Sequence, residues 1–352
     1  MREKADLPSF LLEHTPWLEE ASPIWPATSF VLHRNLARYN FPPKLTESAA
    51  SNVLNLLRNA LFDTKLLKEP LFLKSEELSP LDKEFLFEHF LCLEGFQQPM
   101  KNQGFVVADS ALFLAMINIQ DHLQLHMLDC KANWEHAYTR LSTLDTFIGK
   151  HLEYAFTPKF GYLTSDPKIS GVALLVRVFL HLPALIHTGN ALPKEEEVTL
   201  TSLQGPLENS VGDIVVLQNS YTLGLSEENI LRSLQAETSK LISLESALRN
   251  ELKTKNNANM KDQVSRAFGL LLHSYQLQTK EALDALSLIK LGVHLGWVIG
   301  MTDTKINDIF FKCRHAHLSY LLQEKKIATP EALAHKRAEF IHQQLAGVTL
   351  QT

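Results

Sequence analysis

The apolar residues of this chain change their spacing part-way along, and that change limits the fold more than any other feature of the sequence. Up to about residue 250, runs with a two-residue period alternate with runs of helical period; beyond it only the helical period survives. Phe105-Val-Val107 and Ala111-Leu-Phe-Leu-Ala-Met-Ile117 are short apolar runs split by Asp109-Ser110, the pattern of a hairpin, and His122-Leu-Gln-Leu-His-Met-Leu128 alternates in type. Val211 to Leu217 reads as another strand. Helical spacing appears at Val53, Leu54, Leu57 and Leu61 behind an N-capping Thr46, again over Leu81 to Leu93 and Trp134 to Phe156, and in a long amphipathic segment opened by Ser226 with Glu227 and Glu228 at its positive end. Asn250 to Gln263 is polar and poor in apolar residues. After it, Thr279-Lys-Glu281 and Thr329-Pro-Glu331 read as helix starts, and nothing reads as a strand. The spacing predicts a mixed unit with an antiparallel sheet over residues 1–252 and an all-helical unit over 262–352. Residues 1–45, rich in proline and aromatics, are expected to lie on the first unit as an irregular segment.

Length and charge agree with this division and remove several functions. At roughly 150 residues per domain, 352 residues suggest two, and 45% apolar residues suffice for buried cores. The balance of 34 Lys+Arg against 39 Asp+Glu gives −5, with no long basic run, so neither nucleic acid nor an anionic membrane is an expected partner. Only 11 of those cations are arginine. Cys92, Cys130 and Cys313 lie too far apart for a metal knuckle or disulfide framework, which fits a reducing cytosol. The first residues mix both charges and run into Pro8, unlike a signal peptide, and the apolar stretch from Gly171 to Ile186 is broken by Arg177, His181 and Pro183 short of the ~20 residues a spanning helix needs. A cytoplasmic location is expected.

Common nucleotide-binding, zinc-protease and hydrolase motifs are absent. The best local cluster is Asn118, Asp121, His122 and His126. The two histidines share a strand face by the two-residue period, so a metal pair is conceivable, but with no third ligand at a suitable spacing a structural Asp–His pair in a turn is the favoured reading and no metal is expected. His315 and His317, at i and i+2, read as solvent-facing. Gly292, Gly296 and Gly300 read as close helix packing with a C-cap glycine, and Glu195-Glu-Glu197 as a solvated loop.

Several stretches in fixed order resemble one family, the ATP:guanido phosphotransferases, and within it the bacterial protein-arginine kinases. Gly161-Tyr-Leu-Thr-Ser165, Pro167 and His181-Leu-Pro-Ala-Leu185 resemble the family's GYLTSCP…HLPAL block. Asn118-Ile-Gln-Asp-His-Leu-Gln124 is similar to its NEEDHxR strand end, and Asn219-Ser-Tyr-Thr-Leu-Gly-Leu-Ser-Glu-Glu228 to the NQxTLGxSE start of its long helix. Arg266-Ala-Phe-Gly-Leu-Leu271, Thr279-Lys-Glu-Ala-Leu283 and Lys290-Leu-Gly-Val-His-Leu-Gly296 resemble its helical C-terminal region. The resemblance implies an α+β fold, a guanido-kinase or glutamine-synthetase-like antiparallel sheet flanked by helices, followed by a helical region that supports a homodimer. It also implies protein partners: a stress-response regulator, a zinc-containing activator and an AAA+ protease unfoldase.

Function turns on departures from that pattern. Phosphoryl transfer is mostly positioning and charge neutralisation, with arginines holding ATP phosphates bidentately and acids orienting the guanidinium. Against the family motifs, His33 and Asn35 stand at the first two phosphate arginines, Gln124 at the third, Leu175 at the fourth and Thr201 at the fifth. Ile119 and Gln120 replace two glutamates, Asp166 stands at the reactive cysteine, and Asn118, Asp121 and His122 remain as the catalytic remnant. A slip in register would bring back Arg34 or Arg177, but not every lost group. Of the phosphoarginine-holding RDxxRA motif only Arg337 and Ala338 persist. The leading expectation is a pseudokinase that acts by binding proteins and needs no cofactor. The alternatives are an active protein-arginine or guanidino kinase with a rebuilt Mg-ATP site using Asp121, His122 and Asp166, and a binding module for an uncharged ligand.

Overall fold

In the computed structural model, which describes residues 7–18, 22–93, 101–190, 192, 197–203, 205–207, 210–323 and 329–351, the alternating runs become one eight-stranded antiparallel sheet. Its strands are β1 (Ala27–Arg34), β2 (Leu71–Lys74), β3 (Gly104–Ala108), β4 (Phe113–Ile117) and β5 (Leu123–Asp129), then, after a separate hairpin of β6 (Phe156–Thr157) and β7 (Gly161–Tyr162), β8 (Leu174–His181), β9 (Val198–Ser202) and β10 (Ile214–Asn219). The spatial order is β2-β3-β4-β5-β1-β8-β10-β9. Helices α1 (Leu7–Glu13), α2 (Glu47–Asp63), α3 (Pro80–His89), α4 (Trp134–His151), α5 (Pro183–His187) and α6 (Glu227–Thr254) flank it. The remainder is α7 (Ala258–His273), α8 (Thr279–Leu295), α9 (Asp303–Lys312), α10 (His315–Leu321) and α11 (Pro330–Gln344), with a two-residue ladder of β11 (Val298–Ile299) and β12 (Thr349–Leu350).

Strand periodicity sorts the sheet's side chains into two faces. Phe30, Leu32, Leu125, Val176 and Leu217 point to one face and are buried against the apolar stripes of α2, α4 and α6. The opposite face is covered at the β3–β4 side, where Leu114 and Met116 meet α1, α3 and, from the helical region, Ala316 and Tyr320. Elsewhere on that face Trp17 stacks on Phe311 with ring centres 4.3 Å apart, in a cluster with Leu128, Phe179 and Val216. The helical region therefore packs on the same side of the sheet that carries the residues aligned with phosphate binding.

Several sequence expectations are corrected. Residues 1–45 are not irregular throughout: Ala27–Arg34 is a central strand, bonded to β5 and β8, because its alternating Phe30, Leu32 and Arg34 supply one buried face and Val31 and His33 the other. β2 and β9 are edge strands without a strong alternating pattern. The C-terminal region is helical apart from the β11–β12 ladder. His317 is only 1% exposed, since α10 turns it onto Glu88 of α3, so it is not a solvent-facing histidine. Thr46, Ser226 and Thr329 cap their helices, whereas the cap before α8 is Gln278 and not Thr279. Gly296, at φ +80°, ends α8, and a Cβ on Gly292 would lie 2.7 Å from Val264. Of the Glu195–Glu197 run, the first two residues lie outside the described residues. No helix among the described residues is long and apolar enough to cross a membrane.

Candidate functional site

Two of the aligned positions, His33 and Asn35, join a buried lattice around Asp121. His33, near the end of β1, directs Nδ1 at Asp121 Oδ2 (2.8 Å); Asn35, just past that strand, donates through Nδ2 to Oδ1 (2.6 Å); and the Ser165 backbone N–H donates to the same oxygen at 2.7 Å. Asn35 Oδ1 accepts from the His122 N–H, tying β1 to the turn before β5. Burial pushes the Asp121 carboxyl up, but the hydrogen bonds from His33, Ser165 and Asn35, with the His33 charge, outweigh it and hold the pKa below the ordinary carboxylate value. Asp121 is therefore an anion with three donors supplied by the chain itself.

His122 is fixed in one tautomer. Its Nδ1 accepts from the Leu36 N–H at 3.0 Å, which leaves Nε2–H to donate to the Asn40 carbonyl at 2.9 Å, and burial lowers its pKa. Both ring nitrogens are occupied, so the conceivable metal pair with His126 is excluded, and no cluster of three metal-ligating side chains exists among the described residues. The structural Asp–His pair does form, but Asp121 takes His33 as its partner. Asn118, at φ +57°, donates to the carbonyls of Ala50 and Asn102 and holds the turn in place.

The other aligned positions follow strand parity. Gln124 faces His33 across β5 and β1, and its Oε1 and the His33 Nε2 are both buried without a hydrogen-bond partner. Leu175 lies opposite Val31, and Thr201 sits on β9 opposite Val216. Ile119 packs with the apolar cluster under α1 and α3, and Gln120, beside it in the turn, is partly buried. Asp166 accepts from the Lys168 N–H and starts a short 3-10 turn. Among the described arginines, Arg177 reaches this face: two residues beyond Leu175 and therefore on the same side, it donates from Nε to Gln218 Oε1 at 2.7 Å. Arg34 cannot return to a phosphate slot by a slip, because it points to the opposite face, where it pairs with Asp145 and lies 3.7 Å from the centre of the Tyr162 ring. Arg337 is buried, donating to the carbonyls of Cys313 (2.6 Å) and Leu277 (2.7 Å).

Sequence reasoning took His181-Leu-Pro-Ala-Leu185 only as part of a motif block and missed what it organises. Glu245 accepts from the backbone N–H groups of Ala184 and Leu185 and pairs with Arg249 at 2.7 Å, and Arg249 donates to His181 Nδ1 and to its carbonyl. That leaves His181 Nε2–H to donate to Ser287 Oγ of α8, which donates in turn to Asp213. Burial, with the neighbouring Lys290 and Arg249 charges, holds His181 neutral. The signal was Glu245 at an apolar position of α6, four residues before Arg249.

The comparisons with known proteins come down on one family. The model of the ATP:guanido phosphotransferase C-terminal catalytic domain matches residues 52–248, and that of the protein-arginine kinase McsB C-terminal domain matches residues 257–352. The chain is 36% identical over 353 residues to the protein-arginine kinase of Chlamydia pneumoniae, covering 97% of this chain and 98% of the relative. It is 31% identical to that of Halothermothrix orenii over 89% and 90%. In structure it is similar to a lombricine kinase, with a TM-score of 0.57 and 19% identity over 71% of this chain and 72% of that one. It is also similar to a duplicated taurocyamine kinase of Schistosoma mansoni, with a TM-score of 0.59 and 18% identity over 70% of this chain and 36% of the duplicated one.

Proposed function

We propose, since this chain belongs to the ATP:guanido phosphotransferase family in its protein-arginine kinase branch, that it is a pseudokinase: it keeps the kinase fold, does not transfer phosphate, and acts in the cytoplasm by binding proteins. One observation carries the proposal. The two residues aligned with the first phosphate arginines, His33 and Asn35, direct their side chains inward to Asp121 and His122. A histidine, two amides, a leucine and a threonine cannot supply the bidentate, permanently charged forks that five arginines would offer a nucleotide. Losing one donor of this kind typically costs about 10² to 10³ in rate, and such losses act on one transition state. Arg177 alone does not restore the clamp, and its Nε is bonded to Gln218. Family resemblance supports a homodimer and, as partners, a stress-response regulator, a zinc-containing activator and a protease unfoldase.

Arg177 and the anionic Asp121 favour one other reading, a kinase with a rebuilt Mg-ATP site. Calorimetry with Mg-ATP and transfer of labelled γ-phosphate to arginines of an unfolded protein separate the two. The pseudokinase reading expects no micromolar binding and no label on arginine; label on arginine that disappears in Asp121→Asn would establish the kinase.

A further inference from the structure

A second candidate site lies away from the aligned positions, in a cleft of about 660 Å³ between α3 and the helical region. Its walls include Phe87, Leu91, Val211 and Leu283, so an apolar floor runs from the sheet unit into α8. Basic side chains Lys83 and Arg314 line the same cleft, beside the Glu84–His315 pair. Clefts at such junctions, mostly apolar with a few convergent polar groups, are where ligands are usually held.

Arg314 indicates the chemistry. Its Nε donates to the Phe311 carbonyl and its guanidinium lies 4.7 Å from the centre of the Phe311 ring, but Nη2 is buried and has no hydrogen-bond partner. Nearby Glu88 does not satisfy it. One Glu88 oxygen accepts from the Ala316 N–H, and the other from the His317 N–H and His317 Nδ1, so both are turned to the start of α10. Glu84 is engaged by His315. A buried guanidinium N–H without an acceptor is costly, and a carboxylate is the acceptor it fits best. Arg337, the remnant of the family's phosphoarginine motif, is not among the residues lining this cleft.

We propose that this cleft docks a peptide segment of a partner protein that sets an acidic side chain on Arg314 and adjacent large apolar side chains on the Phe87–Leu283 floor. The inference rests on the reading that the chain works by binding proteins. It is tested separately, because peptide binding is measured without nucleotide and stands or falls whatever the ATP titration gives.

The probe is a fluorescein-labelled, amide-capped peptide of sequence Gly-Ser-Glu-Leu-Leu-Gly-Ser, titrated with the full chain and read by polarisation. Binding is expected, weakened about tenfold to a hundredfold when the peptide's Glu becomes Gln. Arg314→Glu should abolish binding of the Glu peptide and create binding of a Lys version, a swap that a misfolded protein cannot produce. Phe87→Ala, which leaves the cations in place, should weaken every version alike. Equal affinity for the Glu and Gln peptides, or no binding at millimolar protein, overturns the proposal; so does equal competition by free glutamate, which would make the site one for a small carboxylate.

Discussion

The phosphate-aligned face and the seam between sheet and helical region are both buried and polar, yet they use charge in opposite ways. At the seam, Arg249 is paired with Glu245, Glu245 caps α5, and hydrogen bonds pass in one direction from His181 of β8 through Ser287 of α8 to Asp213 in the turn before β10. On the face, the Asp121 carboxylate is held by His33, Asn35 and Ser165 with none of the described arginines on it, Arg177 is bonded to Gln218, and Gln124 Oε1 and His33 Nε2 lack partners. Arginine is therefore not missing from the interior of this protein. It has structural roles at Arg34, Arg249 and Arg337, while His33 and Asn35 are the side chains that hold Asp121 on the face. The two regions thus rest on separate sets of buried polar groups, which mutation can probe separately.

The largest effect is expected at the seam. Arg249→Met removes the partner of a carboxylate that is 0% exposed, leaving an uncompensated buried charge. Such a break costs about 3–5 kcal/mol, read as a fall in urea midpoint. A loss under about 1 kcal/mol would show that the α5 backbone N–H groups alone satisfy Glu245, and the contrast between the two regions would fail.

Next comes the face itself. Asp121→Asn keeps the shape and a carbonyl oxygen for Asn35 and Ser165 but removes the charge they bond to, and it sets an amide NH2 against His33 Nδ1 in place of Oδ2. About 2 kcal/mol of stability should go, the scale of hydrogen bonds to a charged group. Because the folded carboxyl lies below its ordinary value, its contribution is present above the unfolded pKa and is lost as pH falls through the folded one. The variant should therefore lack that part of the acid limb. A variant as stable as the parent would place Asp121 among residues kept for chemistry and would favour the rebuilt kinase.

A third measurement concerns the α3–α10 contact. Burial lowers the His317 pKa from 6.5 to about 4, and hydrogen bonds and charge from His317, with Arg314, outweigh burial to bring Glu88 from 4.5 to about 2. For His317, the unfolded chain takes up a proton between pH 6.5 and 4 while the folded chain does not, so stability falls as pH is lowered through that window. For Glu88, stability is present above 4.5 and lost toward 2. His317→Gln should flatten the decline between pH 6.5 and 4 and, because it takes away the hydrogen bond and charge that hold Glu88 down, shrink the lower limb as well. An unchanged slope would mean that His317 is charged in the folded protein.

How much of this was legible in sequence depends on whether a feature is local. Ser226 and Thr329 could be read as caps because capping involves residues three apart. The β3–β4 hairpin showed itself through Asp109-Ser110. β1 was obscured by the prolines and tryptophans before it, and its place between β5 and β8 depends on pairings about 90 and 150 residues away. Aligning motifs gave the identities of His33, Asn35 and Asp121 but not that they bind one another, since strand register decides that. Arg177 shows the same limit: parity puts it on the face with Leu175, and no local pattern distinguishes it from Arg34, which points the other way.

The smallest effect isolates burial from residue type. Arg232 pairs with Glu228 one turn earlier on α6, with both side chains largely exposed. This is the same i, i+4 acid-to-arginine arrangement as Glu245–Arg249 on the same helix, so propensity and spacing cancel between them. Arg232→Gln should cost no more than about 0.5 kcal/mol, because water screens the exposed pair and both partners are rehydrated when it breaks. If it cost as much as Arg249→Met, the seam's charges would owe their effect to helix formation and not to the buried network. A difference of several-fold between two matched pairs on one helix would instead place the stabilisation in the contact with α5, β8 and α8.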